Sequence, residues 1–295
     1  MYNTGLLAKR VLVLLTASYL GAQAPDEQSL PVATQWSMDA AGESGRAAIR
    51  SVVKIACSKA QTVGTGFQLD TGFIVTNAHV VGPCGAPDLL ILSSDGGALS
   101  VSNLIIDPER DLAALRLSKS VETVGLKIHR NINPKIGDQF STWGYPFGIP
   151  GPAPLWTFGY LSGFTTTPTS HGIGVKHFVI TGAFNPGNSG GPLLADGAVA
   201  GVVVSKRLFS LPPFLASALT AMANNRTGVA FEATDGTGKK IEFLESQLTA
   251  ELLKYYRDVS QVFIGEAIAA NELTAFLDAH QIPWSPVAHV TPKKK

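Results

Sequence analysis

The run Asn185-Pro186-Gly187-Asn188-Ser189-Gly190-Gly191-Pro192-Leu193 sets one serine inside a cluster of glycines. A nucleophilic serine needs a fixed turn that exposes its oxygen and aims backbone N–H groups at the charge developing on the attacked carbonyl. Glycines permit that turn because they accept positive φ and leave room for a substrate backbone. With Gly187 two residues before Ser189, their N–H groups can converge on one point. The plain alternative is a glycine-rich β-turn with an incidental serine.

Such an oxygen also needs a base. Gly64-Thr65-Gly66-Phe67, running on to Ile74-Val75-Thr76-Asn77-Ala78-His79-Val80-Val81, places a histidine just after a buried strand. An imidazole at its reference pKa of about 6.5 can act as a general base at neutral pH. A lone histidine can equally be a satisfied core residue. Asp111-Leu112-Ala113-Ala114-Leu115-Arg116-Leu117 adds an acid at the mouth of an apolar strand. A buried carboxylate there can hold the imidazole's tautomer and stabilise its charged form. Asp107 and Glu109 compete for the role and read more simply as loop charges, since the apolar run starts directly after Asp111. Each piece is ambiguous alone; together, in the order His79, Asp111, Ser189, they point to acyl transfer.

The elements that must position these residues read as short strands. From Ser51 to Ile180, runs such as Ser51–Ile55, Phe73–Thr76, Leu89–Leu92 and Leu112–Leu117 are broken by Gly, Pro, Asp and Ser. Turn signals every 8–12 residues or so predict an antiparallel all-β domain. Asn131-Ile132-Asn133-Pro134 is a candidate linker between two halves. Helical spacing is expected over Met38–Arg50, Leu215–Asn224 and Glu242–Asp258, and Asn271 is expected to N-cap a final helix over Glu272–His280.

Composition agrees with a packed enzyme-sized chain. The sequence has 295 residues, 45% hydrophobic and 15% charged, which excludes disordered and coiled-coil proteins. A formal charge of +1 gives no global pull toward nucleic acid, and Lys293–Lys295 reads as a solvated tail. At the start, Lys9-Arg10, the apolar run Val11–Leu20 and Gly21-Ala22-Gln23-Ala24 have the layout of a secretory signal over residues 1–24. The run is short for a membrane span, so an uncleaved N-terminal anchor is the lesser reading. In an exported chain, Cys57 and Cys84 are expected to form one disulfide. Two cysteines without histidines at ligand spacing predict no metal site, and no cofactor is expected.

These three motifs resemble the trypsin-like serine peptidases, most closely the bacterial Deg/HtrA-type branch, whose blocks look like T-N-x-H-V-V, D-[LIV]-A-x-L and G-N-S-G-G-P-L. The resemblance spans roughly Ser51–Val204. It implies two six-stranded antiparallel β-barrels with the triad between them: a protease domain over 45–280, barrels at about 50–130 and 135–270, a helical insertion at 206–258, a C-terminal helix and a tail from 281. His79 would be the base, Asp111 its orienter, Ser189 the nucleophile, and Gly187, Asn188 and Ser189 the oxyanion loop. There is no Ile-Val-Gly-Gly start, and Asn188 stands where digestive trypsins have an Asp, so activation by a new N-terminus is not expected. Too few residues follow the protease for the PDZ domain that Deg/HtrA proteins usually carry.

By the same resemblance, Ala183, six before the nucleophile, lies at the base of the pocket for the residue before the scissile bond (P1). Phe184 is expected to narrow that pocket, and the strand ending Val203-Val204-Ser205 to line it and pair with substrate. Without an acid at its base, such a pocket suits small or medium apolar side chains better than Lys or Arg. Gly228–Phe231 or Val262–Ile268 could close the second barrel, and the second is preferred because the final helix follows it. The expected activity is an exported serine endopeptidase with a protein or peptide substrate. A non-catalytic binding protein on the same fold and an esterase-like hydrolase are the alternatives.

Overall fold

The computed structural model describes residues 30–60, 62–119, 125–170, 172, 174–206, 211–234, 240–259 and 263–287. The signal-like segment and the lysine tail lie outside them. Among the described residues no helix is long and apolar enough to cross a membrane. The described residues divide into two compact units, one of them residues 211–234 and 240–259, the other holding the rest.

The larger unit opens with two short helices, α1 (Val32–Ala40) and α2 (Glu43–Ser51), where one helix was expected. Ala41 and Gly42 separate them, both with extended backbone. A seven-stranded antiparallel sheet follows. Its strands are β1 (Val52–Cys57), β2 (Thr62–Gln68), β3 (Phe73–Thr76), β4 (Leu89–Ser93), β5 (Ala98–Leu99), β6 (Val101–Asp107) and β7 (Leu112–Leu117), in the order β5-β4-β1-β2-β3-β7-β6. The expectation was a six-stranded barrel. The end strands β5 and β6 follow one another in the chain through Ser100 without a ladder between them, so this sheet is a half-barrel and not a closed one. All six residues of β1 are buried, as a strand covered on both faces must be.

The second sheet is a closed six-stranded barrel, β10-β15-β12-β11-β8-β9. It comprises β8 (Gln139–Gly144), β9 (Leu155–Thr167), β10 (Val175–Gly182), β11 (Pro192–Ala195), β12 (Ala198–Lys206) and β15 (Gly265–Ala269). Of the two candidate closing segments the later one therefore supplies the strand, lying between β10 and β12. The helix after it, α6 (Ala270–Ala279), buries Leu273, Phe276 and Leu277. Its N-cap is Ala269, which corrects the expectation for Asn271. Asn271 sits inside the first turn and its amide donates to Glu272 at 3.1 Å.

Each lobe has its own apolar centre, Val53, Ile55, Ile74 and Leu115 in the first and Phe140, Phe178, Ile180 and Leu193 in the second. A third cluster joins Phe67, Val75 and Leu112 of the first to Tyr145, Val202 and Phe276 of the second part of the chain. That shared layer fixes the two lobes against each other, since close-packed interiors do not deform continuously.

The smaller unit contains α4 (Pro213–Asn224), a hairpin of β13 (Ala230–Thr234) and β14 (Lys240–Leu244), and α5 (Glu245–Val259); α3 (Ala78–Val81) belongs to the first lobe. The helix expected over Glu242–Asp258 thus begins three residues later, because Lys240–Leu244 pairs as a strand. Gln247 ties the hairpin end to the loop before it, accepting from the Leu244 N–H (3.1 Å) and donating to the Asn225 carbonyl (2.9 Å).

Candidate active site

Asp111 follows β6 in a turn that is built by Asp107. One Asp107 carboxylate oxygen accepts the N–H groups of Glu109 (3.1 Å) and Arg110 (3.0 Å), and the other accepts Arg110 Nη1 (2.8 Å). Burial raises the Asp107 carboxyl, but hydrogen bonds from the Arg110 side chain and backbone outweigh it and hold it below the ordinary value. The turn's stabilisation is therefore complete above the unfolded carboxylate value of about 3.9 and lost as pH falls through the lower folded one. Asp107 is more than the loop charge the sequence suggested.

The turn delivers Asp111 at φ 53°, a left-handed conformation unusual for a residue with a Cβ. Its backbone carbonyl is held by Asn77 Nδ2 at 2.9 Å. Its carboxylate is held by His79 twice, with the backbone N–H donating to one oxygen (2.9 Å) and Nδ1 at 2.7 Å from the other. A carboxylate only accepts, so Nδ1 carries the proton and Nε2 keeps its lone pair. The histidine side chain is 47% exposed, which leaves Nε2 open to an incoming molecule.

Ser189 lies in the loop between β10 and β11. Its carbonyl accepts the Thr65 N–H (2.8 Å), which sets the loop against β2. Its hydroxyl donates to the Val204 carbonyl at 2.9 Å rather than to His79. Catalytic hydrogen bonds of free enzymes are often not yet made in this way.

The peptide planes around Ser189 are fixed one by one. Pro186 O accepts the Phe147 N–H (2.5 Å), Gly187 O accepts Thr65 Oγ1 (2.6 Å), and Asn188 O accepts the Gly191 N–H (2.9 Å). Gly187 has φ 99°, and a Cβ there would lie 2.2 Å from Tyr145 O; at Gly190, with φ 83°, one would lie 2.1 Å from Thr76 Oγ1. Only glycine fits either position. The N–H groups of Gly187 and Ser189 meet no acceptor among the described residues. The Asn188 N–H donates to Asn185 O (3.0 Å), so of the three expected oxyanion-loop members Asn188 is corrected: its N–H is already committed. Its carboxamide is fully buried, with neither nitrogen nor oxygen hydrogen-bonded.

Residues 64–202 match the trypsin-like peptidase domain. A probable periplasmic serine endoprotease, DegP-like, of Chlamydia pneumoniae is 36% identical over 148 residues, 49% of this chain and 29% of the relative. A protein of the same description from Halomonas elongata is 33% identical over 145 residues, 48% and 29% respectively. Over this region the chain is similar to the trypsin-like serine peptidases of the Deg/HtrA type. The chain spans less than a third of the length of these curated relatives. Among solved structures, the Rv3671c protease of M. tuberculosis in its active form aligns with 91% of this chain and 97% of its own at TM-score 0.55 and 20% identity, a likeness of fold.

The pocket residues expected from the family are placed unequally. Ala183 is half-buried just after β10. Phe184 is fully buried among Phe140, Leu161 and Phe178, and a Cβ on Gly265 would lie 2.5 Å from its ring. It is a core residue of the barrel and does not narrow a pocket. Val203 is corrected likewise: its side chain is fully buried, its N–H donates to Gly191 O (2.9 Å) and its carbonyl accepts the Gly190 N–H (2.7 Å). Val204 is the extra residue of a bulge, between Val203 paired with Ala267 and Ser205 paired with Glu266. Its carbonyl is the one that holds the Ser189 hydroxyl.

Cys57, ending β1, is bonded to Cys84, which follows α3, with Cα atoms 5.8 Å apart. The bond encloses His79. A separation of 27 residues corresponds to about 3–4 kcal/mol of loop entropy withheld from the unfolded chain. We expect the double variant Cys57→Ser/Cys84→Ser to lose stability of that order in a denaturant titration; an unchanged midpoint would show that the bond contributes nothing.

Proposed function

We propose that this chain is an exported serine endopeptidase that cleaves peptide bonds through an acyl-enzyme, with His79, Asp111 and Ser189 as its triad. The observation that carries the reading is His79, bound through its backbone and Nδ1 to both oxygens of Asp111, in a chain whose serine loop has two N–H groups uncommitted among the described residues. Ser189 Oγ attacks the scissile carbonyl carbon as Nε2 of His79 takes its proton. The carbonyl oxygen becomes an oxyanion bound by the N–H groups of Gly187 and Ser189. The C–N bond then breaks, Nε2 returns the proton to the leaving amine, and Ser189 is left as an ester. Water, deprotonated by His79, hydrolyses the ester in the same manner. The periplasmic description of the DegP-like relatives supports export.

The P1 pocket takes small or medium apolar side chains, with Ala183 at its base. A hydrophobic slot discriminates by about 1–3 kcal/mol per methylene, which gives a graded preference among Ala, Val and Leu. A buried Lys or Arg without a counter-charge is far more costly. Of the acids at the two candidate closing segments, Glu232 pairs with Lys240 in the insertion hairpin, and Glu266 stands opposite Ser205 across β12 and β15.

Two measurements test this. A fluorophosphonate should label the protein, and a non-labelled protein would leave only a binding role. A peptide-library digest should show cleavage mainly after apolar residues. Cleavage mainly after Arg or Lys would assign Glu266 to the pocket and overturn the apolar reading, and hydrolysis of esters without any peptide cleavage would overturn the peptidase.

A further inference from the structure

Thr65 is fully buried in β2, a strand of the first lobe, yet its hydroxyl bridges two backbone segments of the second. It accepts the N–H of Tyr145 at 3.1 Å and donates to the carbonyl of Gly187 at 2.6 Å. Its main chain continues the connection, with the N–H donating to Ser189 O (2.8 Å) and the carbonyl accepting Thr76 Oγ1 (2.7 Å). Thr76 in turn is three residues before His79 on the same lobe.

We propose that the Thr65 hydroxyl is a positioning residue for oxyanion binding, a reading that rests on the triad and loop assignment above. The peptide Gly187–Asn188 is gripped at both ends, its carbonyl by Thr65 and its N–H by Asn185 O. The preceding peptide is gripped at Pro186 O by Phe147 N–H, two residues beyond the Tyr145 N–H that Thr65 accepts. One hydroxyl therefore sets the Tyr145–Phe147 turn and the Gly187 carbonyl at the same time. The Gly187–Asn188 plane that Thr65 holds lies between the two planes that carry the uncommitted N–H groups, Pro186–Gly187 and Asn188–Ser189, the latter held at Asn188 O by the Gly191 N–H, so fixing it restricts the tilt of both.

A side chain that fixes N–H donors acts where charge develops, so its loss lowers kcat and leaves ground-state binding largely intact. Thr65→Val keeps the shape and the Cγ methyl but loses the hydroxyl; Thr65→Ser keeps the hydroxyl. With a peptide substrate cleaved by the wild-type protein, Thr65→Val should lower kcat by about 10- to 100-fold with KM changed by less than about threefold, below the 10²–10³ typical of deleting an oxyanion donor outright. Thr65→Ser should restore kcat to within about threefold, and a peptide boronate, which forms the tetrahedral adduct, should lose affinity for Thr65→Val in proportion to kcat. Equal kcat in Thr65→Val and wild type, or equal losses in Thr65→Val and Thr65→Ser, would overturn the proposal. A rise in KM matching any fall in kcat/KM would overturn it as well. If Thr65→Val does not fold, the Thr65→Ser and Thr65→Ala pair decides by the same split. Failure of the wild-type protein to take up fluorophosphonate would instead remove the underlying triad reading.

Discussion

Ser189→Ala is expected to abolish fluorophosphonate labelling and to lower peptide turnover by several orders of magnitude. Triad members act as a unit, so removing the nucleophile removes the covalent route and leaves only residual binding effects. Folding should survive almost unchanged. The Ser189 hydroxyl makes one hydrogen bond, to Val204 O, worth about 1 kcal/mol net, and the loop's shape depends on its backbone and on Gly187 and Gly190. Labelling and melting temperature measured on the same sample separate the two effects. Retained labelling in the alanine variant would assign the nucleophile elsewhere.

Asp111→Asn is expected to lower kcat by about four orders of magnitude while preserving the fold. Asparagine accepts the left-handed region nearly as readily as aspartate, so φ 53° is not a barrier. The hydrogen bond from Asn77 goes to the backbone carbonyl and is untouched by the substitution. What changes is the partner of Nδ1. A carboxamide can offer its NH₂ to that nitrogen, which drives the imidazole proton onto Nε2, where the base must have its lone pair. Turnover within tenfold of wild type would show that Asp111 does not orient the base. Asp107 could not take over, since Arg110 and the turn's own N–H groups occupy it.

How far each residue could be read in advance follows from the range of the interactions that hold it. The serine loop was legible because its chemistry is local: a nucleophile in a turn of positive φ needs glycines within two residues, and they are adjacent in the chain. His79 and Asp111 were legible for a similar reason, each standing at the end of an apolar strand whose neighbours set its position. The closing strand of the barrel was narrowed to two segments with strand-like sequences, and the later was preferred only because the final helix follows it. Pairing with β10 and β12 selects Gly265–Ala269, while the earlier segment finds its partner in Lys240–Leu244.

Phe184, Val203 and Asn271 show where reading along the chain fails. Counting from the nucleophile put Phe184 beside the pocket, but the side chain that follows Ala183 turns into the barrel and packs on Phe140 and Phe178. Val203 lies on the pocket strand in sequence, yet both its backbone groups are taken by the nucleophile loop. Asn271 has the right side chain for a cap, but β15 ends at Ala269 and the helix starts directly from it.

By itself, then, the sequence determined which serine, histidine and acid can be proposed as a triad, and that they stand in a chain of short β-elements. The tertiary structure alone decided which groups are free to act. Thr65 and Asn77 are ordinary polar residues in an apolar context until the lobes pack to bring Thr65 to Gly187 and the pairing of β3 with β7 brings Asn77 to Asp111. The commitment of Asn188 N–H to Asn185, and the freedom of Gly187 and Ser189, depends on the orientation of single peptide planes. Those orientations are set by contacts across the lobes between residues as many as 122 apart in the chain, a separation at which no local pattern carries information.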